Sequence, residues 1–246
     1  MASSVISRVN VVLLVGLTAA TCGSQANPNA PGAVAQSFDF SQSAAGWTGG
    51  HAGYIQGQDA STVKTPGVMP LGDGLSGSGL YLFGNDSVSG GKGLLVYYKH
   101  QILGLLPSRS YSITFGAQIA TSEPTNPPCV SVGSAPSSTV IKAGASTSEP
   151  TVVQTGSTSL GTAILSSSVD VGAGSANGPQ GVTLGDVTTA QACGATHWAL
   201  KDFSPTTLSF VTDGSGSAWV LAGVQLGFDS SAEVFLTKFS VTFTSQ

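Results

Sequence analysis

From residue 37 onward the chain is a succession of short apolar runs that break at Gly, Pro, Ser or Asn after a handful of residues. The runs "SFDF" (37–40), "GLYLFG" (79–84), "GLLVYYKHQILGL" (93–105) and "SYSITFGAQIA" (110–120) alternate or stay apolar, with β-branched and aromatic residues throughout. "CVSVG", "TVIKAG", "GVTLGDV", "HWALKDF", "TLSFVTD", "AWVLAGVQLGF" and "EVFLTKFSVTFT" repeat the pattern later. Alternation at a period of two is the signature of strands, and helix spacing at three and four is scarce. About eleven such strands separated by turns predict an all-β fold, an antiparallel β-sandwich.

Two runs can be assigned face by face. Tyr111, Ile113 and Phe115 share one face, with Ser112 and Thr114 on the other. The last strand predicts Phe235, Thr237, Phe239, Val241 and Phe243 on the core side and Lys238 outward. Trp198 and Trp219 lie in strand-like runs and are expected in the core. Residues 144–180 fit the pattern least well, as two irregular strands or a long excursion from the sandwich.

The first residues address the chain. Arg8 is the only charge before Asp39, and Val11 to Leu17 form an apolar core too short to span a bilayer, which needs ~20 residues. This reads as an export signal over residues 1–26, with Ser24, Gln25 and Ala26 preceding a cut before Asn27. Alternatively, Leu17 to Cys22 resembles the bacterial lipoprotein box, whose cysteine becomes the lipidated first residue. Residues 27–36, "NPNAPGAVAQ", read as a flexible linker, and 37–246 as one sandwich domain. The expected location is secreted, periplasmic or cell-surface, with a membrane involved only through lipid at Cys22.

In an oxidising compartment the two remaining cysteines, Cys129 and Cys193, are expected to form a disulfide. Closing a loop of that length stabilises by ~3–5 kcal/mol in the chain-entropy picture. A metal site of Cys129, Cys193 and His197 lacks any close cysteine pair.

Only 8 % of the residues are charged, against 41 % hydrophobic, and the formal net charge is −4. No basic cluster is present, which argues against nucleic acid and anionic membrane as partners. A neutral surface rich in hydroxyls and Gly suits a carbohydrate or another cell-surface ligand.

"HQILGLLPSRSYSITFGAQIA" resembles the strand, turn and strand of galactose-binding-like jelly rolls, a class that includes many carbohydrate-binding modules. "AEVFLTKFSVTFT" is similar to their closing strand, with Lys238 where Asp is common. The order GWTGG, LSGSGLYLFGN, KAGAS with EP, and LGD before a Cys resembles a group of bacterial secreted or lipoprotein-like proteins. The resemblance implies a jelly-roll sandwich, and many of that class hold a structural calcium ion. "GNDSVSGG" and "TDGSGSA" offer Asp86 and Asp213 as calcium ligands, though the same residues are ordinary turn formers.

Catalytic motifs are thin. No G-x-S-x-G elbow exists, and His51, His100 and His197 lack a local serine and acid. Glu123, Glu149 and Glu233 do not reveal a facing pair by their spacing. "GWTGGHAGY" (46–54) places Trp47, His51 and Tyr54 on a Gly-rich stretch suited to ring stacking on a sugar, or to plugging one end of the sandwich. With Asn85 and Asp86 these are the candidate ligand contacts. The sequence thus predicts an exported, non-catalytic binding protein; the alternatives are a structural or adhesive envelope lipoprotein and a secreted glycoside or ester hydrolase.

Overall fold

The computed structural model describes residues 33–58, 63–89, 93–125, 135–192 and 197–246. In chain order the first strands are β1 (Ala33–Asp39), β2 (Thr48–Ala52), β3 (Tyr54–Ile55), β4 (Val63–Lys64) and β5 (Val68–Pro70). Next come β6 (Ser78–Asn85), a single helical turn α1 (Asp86–Ser89), β7 (Leu95–Ile102) and β8 (Ser110–Thr121). They are followed by β9 (Val140–Ser146), β10 (Val152–Ser157), β11 (Ala163–Ser167) and β12 (Gly181–Asp186). The last are β13 (Ala199–Asp202), β14 (Thr206–Val211), β15 (Ala218–Gln225) and β16 (Ser231–Ser245).

The strands form an eight-stranded sheet on the path β13-β8-β16-β6-β4, with β14 also on β8, β1 on β16 and β5 on β6. A five-stranded sheet runs β12-β9-β15-β7-β2, and a small third sheet runs β10-β11-β3. From β6 to β9, and again from β14 to β16, the chain changes between the two large sheets at each turn. That crossing builds the antiparallel jelly-roll sandwich expected from the strand pattern. Its core lies between the two sheets. Leu80, Leu82, Ile113, Phe115, Phe239 and Val241 meet Val96, Tyr98, Ile141, Val220 and Val224 there. Each such side chain taken out of water contributes roughly 1.5–3 kcal/mol.

β8 follows its alternation as read: Tyr111, Ile113 and Phe115 are buried while Ser112 and Thr114 face outward. β16 departs from it. A bulge between Leu236 and Lys238 inserts Thr237 against β8, and the Thr237 hydroxyl donates to the Gln118 carbonyl oxygen at 3.0 Å. One extra residue reverses the parity upstream of it. Val234 and Leu236 therefore face the core, and Phe235 turns to the opposite side of the sheet. There it meets Tyr81 at 5.2 Å and Trp198 at 5.0 Å in a small outer cluster. Lys238 is exposed, as the pattern requires.

Both tryptophans expected in the main core sit elsewhere. Trp198 lies over Gly72, where an added Cβ would stand 1.9 Å from its Nε1. Trp219 is half-buried, between Gln101 and Ser146 on the outer side of the five-stranded sheet. β1 opens at Ala33, so Ala33–Gln36 of the segment read as linker pair with Val241–Thr244 instead.

Of residues 144–180 the first three finish β9, and the rest become a cap. β10 and β11 form a hairpin, and the chain after it lays Val169 and Val171 on Leu95, Tyr97 and Leu221, on the outer side of the five-stranded sheet. Two lysines pin it. Lys142, wholly buried, donates to the Val171 and Ala176 carbonyl oxygens and to Thr183 Oγ1 at 3.2, 2.7 and 2.8 Å. Lys99 donates to the Pro150 carbonyl oxygen at 2.7 Å and pairs with Glu149 at 2.8 Å.

Candidate functional site

The stretch 46–54 enters the fold as an edge strand, and its aromatic residues turn inward. Trp47 is 4 % exposed: it stacks on His100 at 5.5 Å and takes the edges of Phe38, Phe40 and Phe239 at 5.2, 5.7 and 5.2 Å. It plugs the sandwich, and no open ring face remains for a sugar. His51, opposite core residue Val96, lies 4.9 Å from the ring of Tyr54, which is itself buried.

Asn85 Oδ1 accepts a hydrogen bond from Ser87 Oγ at 2.6 Å. Asp86 is fully buried; its carboxylate accepts from the Leu94 N–H at 3.0 Å and its own N–H donates to the Ser230 carbonyl oxygen at 2.7 Å. It thereby ties the β6–β7 connection to the β15–β16 turn. Asp213 closes a local turn by accepting from the Ser215 hydroxyl at 2.5 Å and the Ser215 N–H at 2.8 Å, and these bonds hold its carboxyl below the usual range. Asp86 and Asp213 stand at opposite ends of β15, so one ion does not touch both. Among the described residues no three His, Cys, Asp or Glu side chains cluster. Cys22, Cys129 and Cys193 lie outside the described residues.

The cap leaves a cleft of about 350 Å³ between itself and the five-stranded sheet. Its floor is one cross-strand row, Ala52, Leu95 and Gln225. Thr155, Ser166 and Ser167 of the hairpin form one wall, and Val169 to Gly172 the other. Gly53 and Gly93 close the end nearest the loops. Gly53 has φ +82°, and a Cβ on it would stand 2.6 Å from the Gly93 carbonyl oxygen, so the two backbones meet only because Gly53 carries no side chain. Asp170 is the one charged residue of the lining, and its carboxylate already accepts from the Gly172 N–H at 2.9 Å.

Gln225 is the exceptional group here. It is 8 % exposed, lines the cleft, and its Oε1 is buried with no hydrogen-bond donor among the described residues. Leaving such an acceptor unpaired costs about 1–3 kcal/mol. The residue was missed in the sequence, where its only signal is a lone amide in the otherwise apolar run "AWVLAGVQLGF".

A second cleft of about 400 Å³ opens on the outer face of the eight-stranded sheet. Asp39, Lys238, Gln118 and Asp202 stand in one register row across it. Three of these groups already hold hydrogen bonds: Gln118 Nε2 donates to Asp202 at 2.9 Å, Thr237 Oγ1 to Gln118 Oε1 at 3.0 Å, and the Ser41 N–H to Asp39 at 2.9 Å.

Two of the three glutamates do approach each other. Burial, and then the charge of Glu233, hold the Glu123 carboxyl above its ordinary value. Burial and the same Glu233 push the Tyr81 hydroxyl up to about 12.

No family model and no curated protein sequence matches the chain. Solved structures that it resembles include the CBM22-1 xylan-binding domain of Paenibacillus barcinonensis Xyn10C, at 14 % identity over 86 % of this chain and 94 % of that one, TM-score 0.36. TmCBM61, solved with β-1,4-galactotriose, is 12 % identical over 83 % and 97 % of the two chains, TM-score 0.34. The K1 cleaved adhesin domain of Lys-gingipain from Porphyromonas gingivalis is 10 % identical over 85 % and 97 %, TM-score 0.35. Overlaps this loose do not bear on a ligand.

Proposed function

We propose that the chain is an exported, non-catalytic β-sandwich domain that binds a neutral carbohydrate in the cleft beneath its cap. One observation carries this reading: Gln225 lines a cleft whose other polar groups are hydroxyls, backbone and the Asp170 carboxylate, and its carbonyl oxygen is buried with no donor among the described residues. A sugar hydroxyl donating to that oxygen removes the penalty of the unpaired acceptor, and a neutral ligand needs no counter-charge. The place for the ligand is therefore the cap side of the sheet, bordered by Ala52 and Gly53 of the 46–54 stretch, with Trp47 and Asp86 serving the scaffold.

The test is a glycan array followed by titration calorimetry of the purified protein, with a Gln225→Leu variant of similar size. Binding that falls roughly tenfold in the variant, the worth of one buried hydrogen bond of about 1.5 kcal/mol, supports the reading. Absence of binding to any glycan, or equal binding by both proteins, overturns it.

The hydrolase reading has one observation in its favour, the Glu123 carboxyl raised beside Glu233. Release of new reducing ends or of acid during the same incubations, lost in Glu123→Gln, would replace binding by hydrolysis. The envelope-lipoprotein reading rests on Cys22, and partition into detergent that disappears in Cys22→Ala would favour it.

A further inference from the structure

We propose that β1 is a docking edge for a second copy of this chain. The two β1 strands pair antiparallel about Gln36, so that the eight-stranded sheet runs on from one molecule into the other.

β1 pairs with β16 along all seven residues, and among the described residues no strand lies on its other side. One step beyond the Asp39–Lys238 pair, the Phe40 N–H donates to the Thr237 carbonyl oxygen at 3.0 Å. Bonding alternates along an antiparallel pair, so Phe38, Gln36 and Val34 also bond to β16. Ala33, Ala35, Ser37 and Asp39 therefore turn their N–H and C=O groups to the open side, where none has a backbone partner among the described residues.

Most other sheet edges are guarded by shortness, charge, a bulge or a neighbour. β4 and β5 are two and three residues long. β13 carries Lys201 and Asp202, β10 and β12 carry bulges, and β14 has β12 of the other sheet beside it. β2 is weakened by Gly49 and Gly50. β1 has seven residues with no proline, no bulge and no charge before Asp39. Such an edge is a template for another strand.

What fits this edge is the edge itself. Antiparallel pairing of the open-side groups over the full strand sets Ala33 opposite Asp39 of the second copy, Ala35 opposite Ser37, and Gln36 opposite its own mate on a two-fold axis. Val34 then meets Phe38 of the second copy in a non-hydrogen-bonded position, where facing side chains come closest. In each molecule both residues are half-buried at the margin of the core. An aromatic ring beside a β-branched residue is a favourable cross-strand pair, and the symmetry makes it twice. Charge selects the direction. Parallel pairing in register would set Asp39 against Asp39, whereas antiparallel pairing holds the two roughly 20 Å apart at ~3.4 Å per residue. An unrelated extended peptide offers the same backbone groups without Val and Phe in matching order.

Sedimentation velocity of the purified protein over a concentration series reads the association, and a monomer–dimer equilibrium is expected. Ala35→Pro removes an open-side N–H and leaves the β16 ladder whole, since proline is tolerated where an edge N–H faces away from the sheet. Ser37→Lys places a charge on the same edge; if Ala35→Pro does not fold, Ser37→Lys decides. Each should weaken the dimer by about tenfold or more, because a symmetric contact loses every interaction twice. Ser209→Lys, exposed on β14, should leave the dimer unchanged. Gln36→Cys, whose Cα would stand about 4.5 Å from its mate, should cross-link two copies on oxidation, and Ala33→Cys should not. A wild-type protein that is monomeric at every concentration overturns the proposal. So does a dimer that survives the edge variants, that Ser209→Lys dissolves as readily, or that Gln36→Cys fails to cross-link.

Discussion

Raising the pH from 7 to 10 should stabilise this protein, and Lys142 is the reason. Its ammonium is wholly buried on β9 beneath the cap, and burial brings it down from 10.5 to about 8 although the charge of Asp170 pulls the other way. The difference, 10.5 − 8, is about 2.5 units, or about 3 kcal/mol at 1.36 kcal/mol per unit. Between pH 8 and 10.5 the unfolded chain retains a proton that the folded chain has released. The unfolded state binds more protons there, so unfolding free energy rises with pH across that window and is flat below it. Tyrosines set the upper limit. Burial, with Glu149 and Tyr54 nearby, pushes the Tyr97 hydroxyl up to about 12, where Tyr81 also lies. Above pH 10 the unfolded chain loses those protons first, and stability falls. The expected profile therefore peaks near pH 10. Urea unfolding followed by tryptophan fluorescence at unit steps from pH 7 to 11 measures it. Lys142→Met should flatten the rise and keep the fall. A wild-type profile that is flat or descending between pH 8 and 10 would refute the argument that an ammonium is buried at this cost.

Three further outcomes are expected. The described flanks of the cysteines converge: Pro124 bridges Thr189 in parallel and the Thr125 N–H donates to the Thr189 carbonyl oxygen at 2.9 Å, with Cys129 and Cys193 each four residues beyond Thr125 and Thr189. A peptide map of the exported protein without reductant should show a Cys129–Cys193 disulfide; free thiols at both positions would contradict it. Gly72→Ala should cost ~1–3 kcal/mol and shift the tryptophan emission, because its Cβ would occupy the space of the Trp198 indole; an unchanged spectrum and midpoint would remove that packing role. Glu233→Gln should lower both the Glu123 and the Tyr81 pKa, since Glu233 raises each of them, and NMR titration would expose a failure of either shift.

The fold class was legible because strand alternation is local. Tyr111, Ile113 and Phe115 had only to be apolar at every second position to declare their face, and β8 obeys. The site was much less legible. Trp47 on its Gly-rich stretch reads equally well as a stacking platform or a plug, and the choice is made by Phe38, Phe40, His100 and Phe239, which reach it from other strands. The β16 bulge follows from register against β8, so nothing within "EVFLTKFSVTFT" marks Thr237 as the inserted residue.

Residues 144–180 show the division most plainly. Gly144 to Ser146 finish β9, but the pattern of the rest is weak because it forms no layer of the two large sheets, and it becomes a cap only where Tyr97, Leu221 and Lys142 offer apolar contact and donors. Gln225 acquires its meaning the same way: the sequence by itself determined a strand with an amide at its end, and only tertiary packing set that residue in the lining of a cleft with its amide oxygen buried and without a donor among the described residues. Periodicity is a property of neighbours along the chain, whereas burial and unmet hydrogen bonds depend on partners far away in sequence, which only tertiary structure brings together.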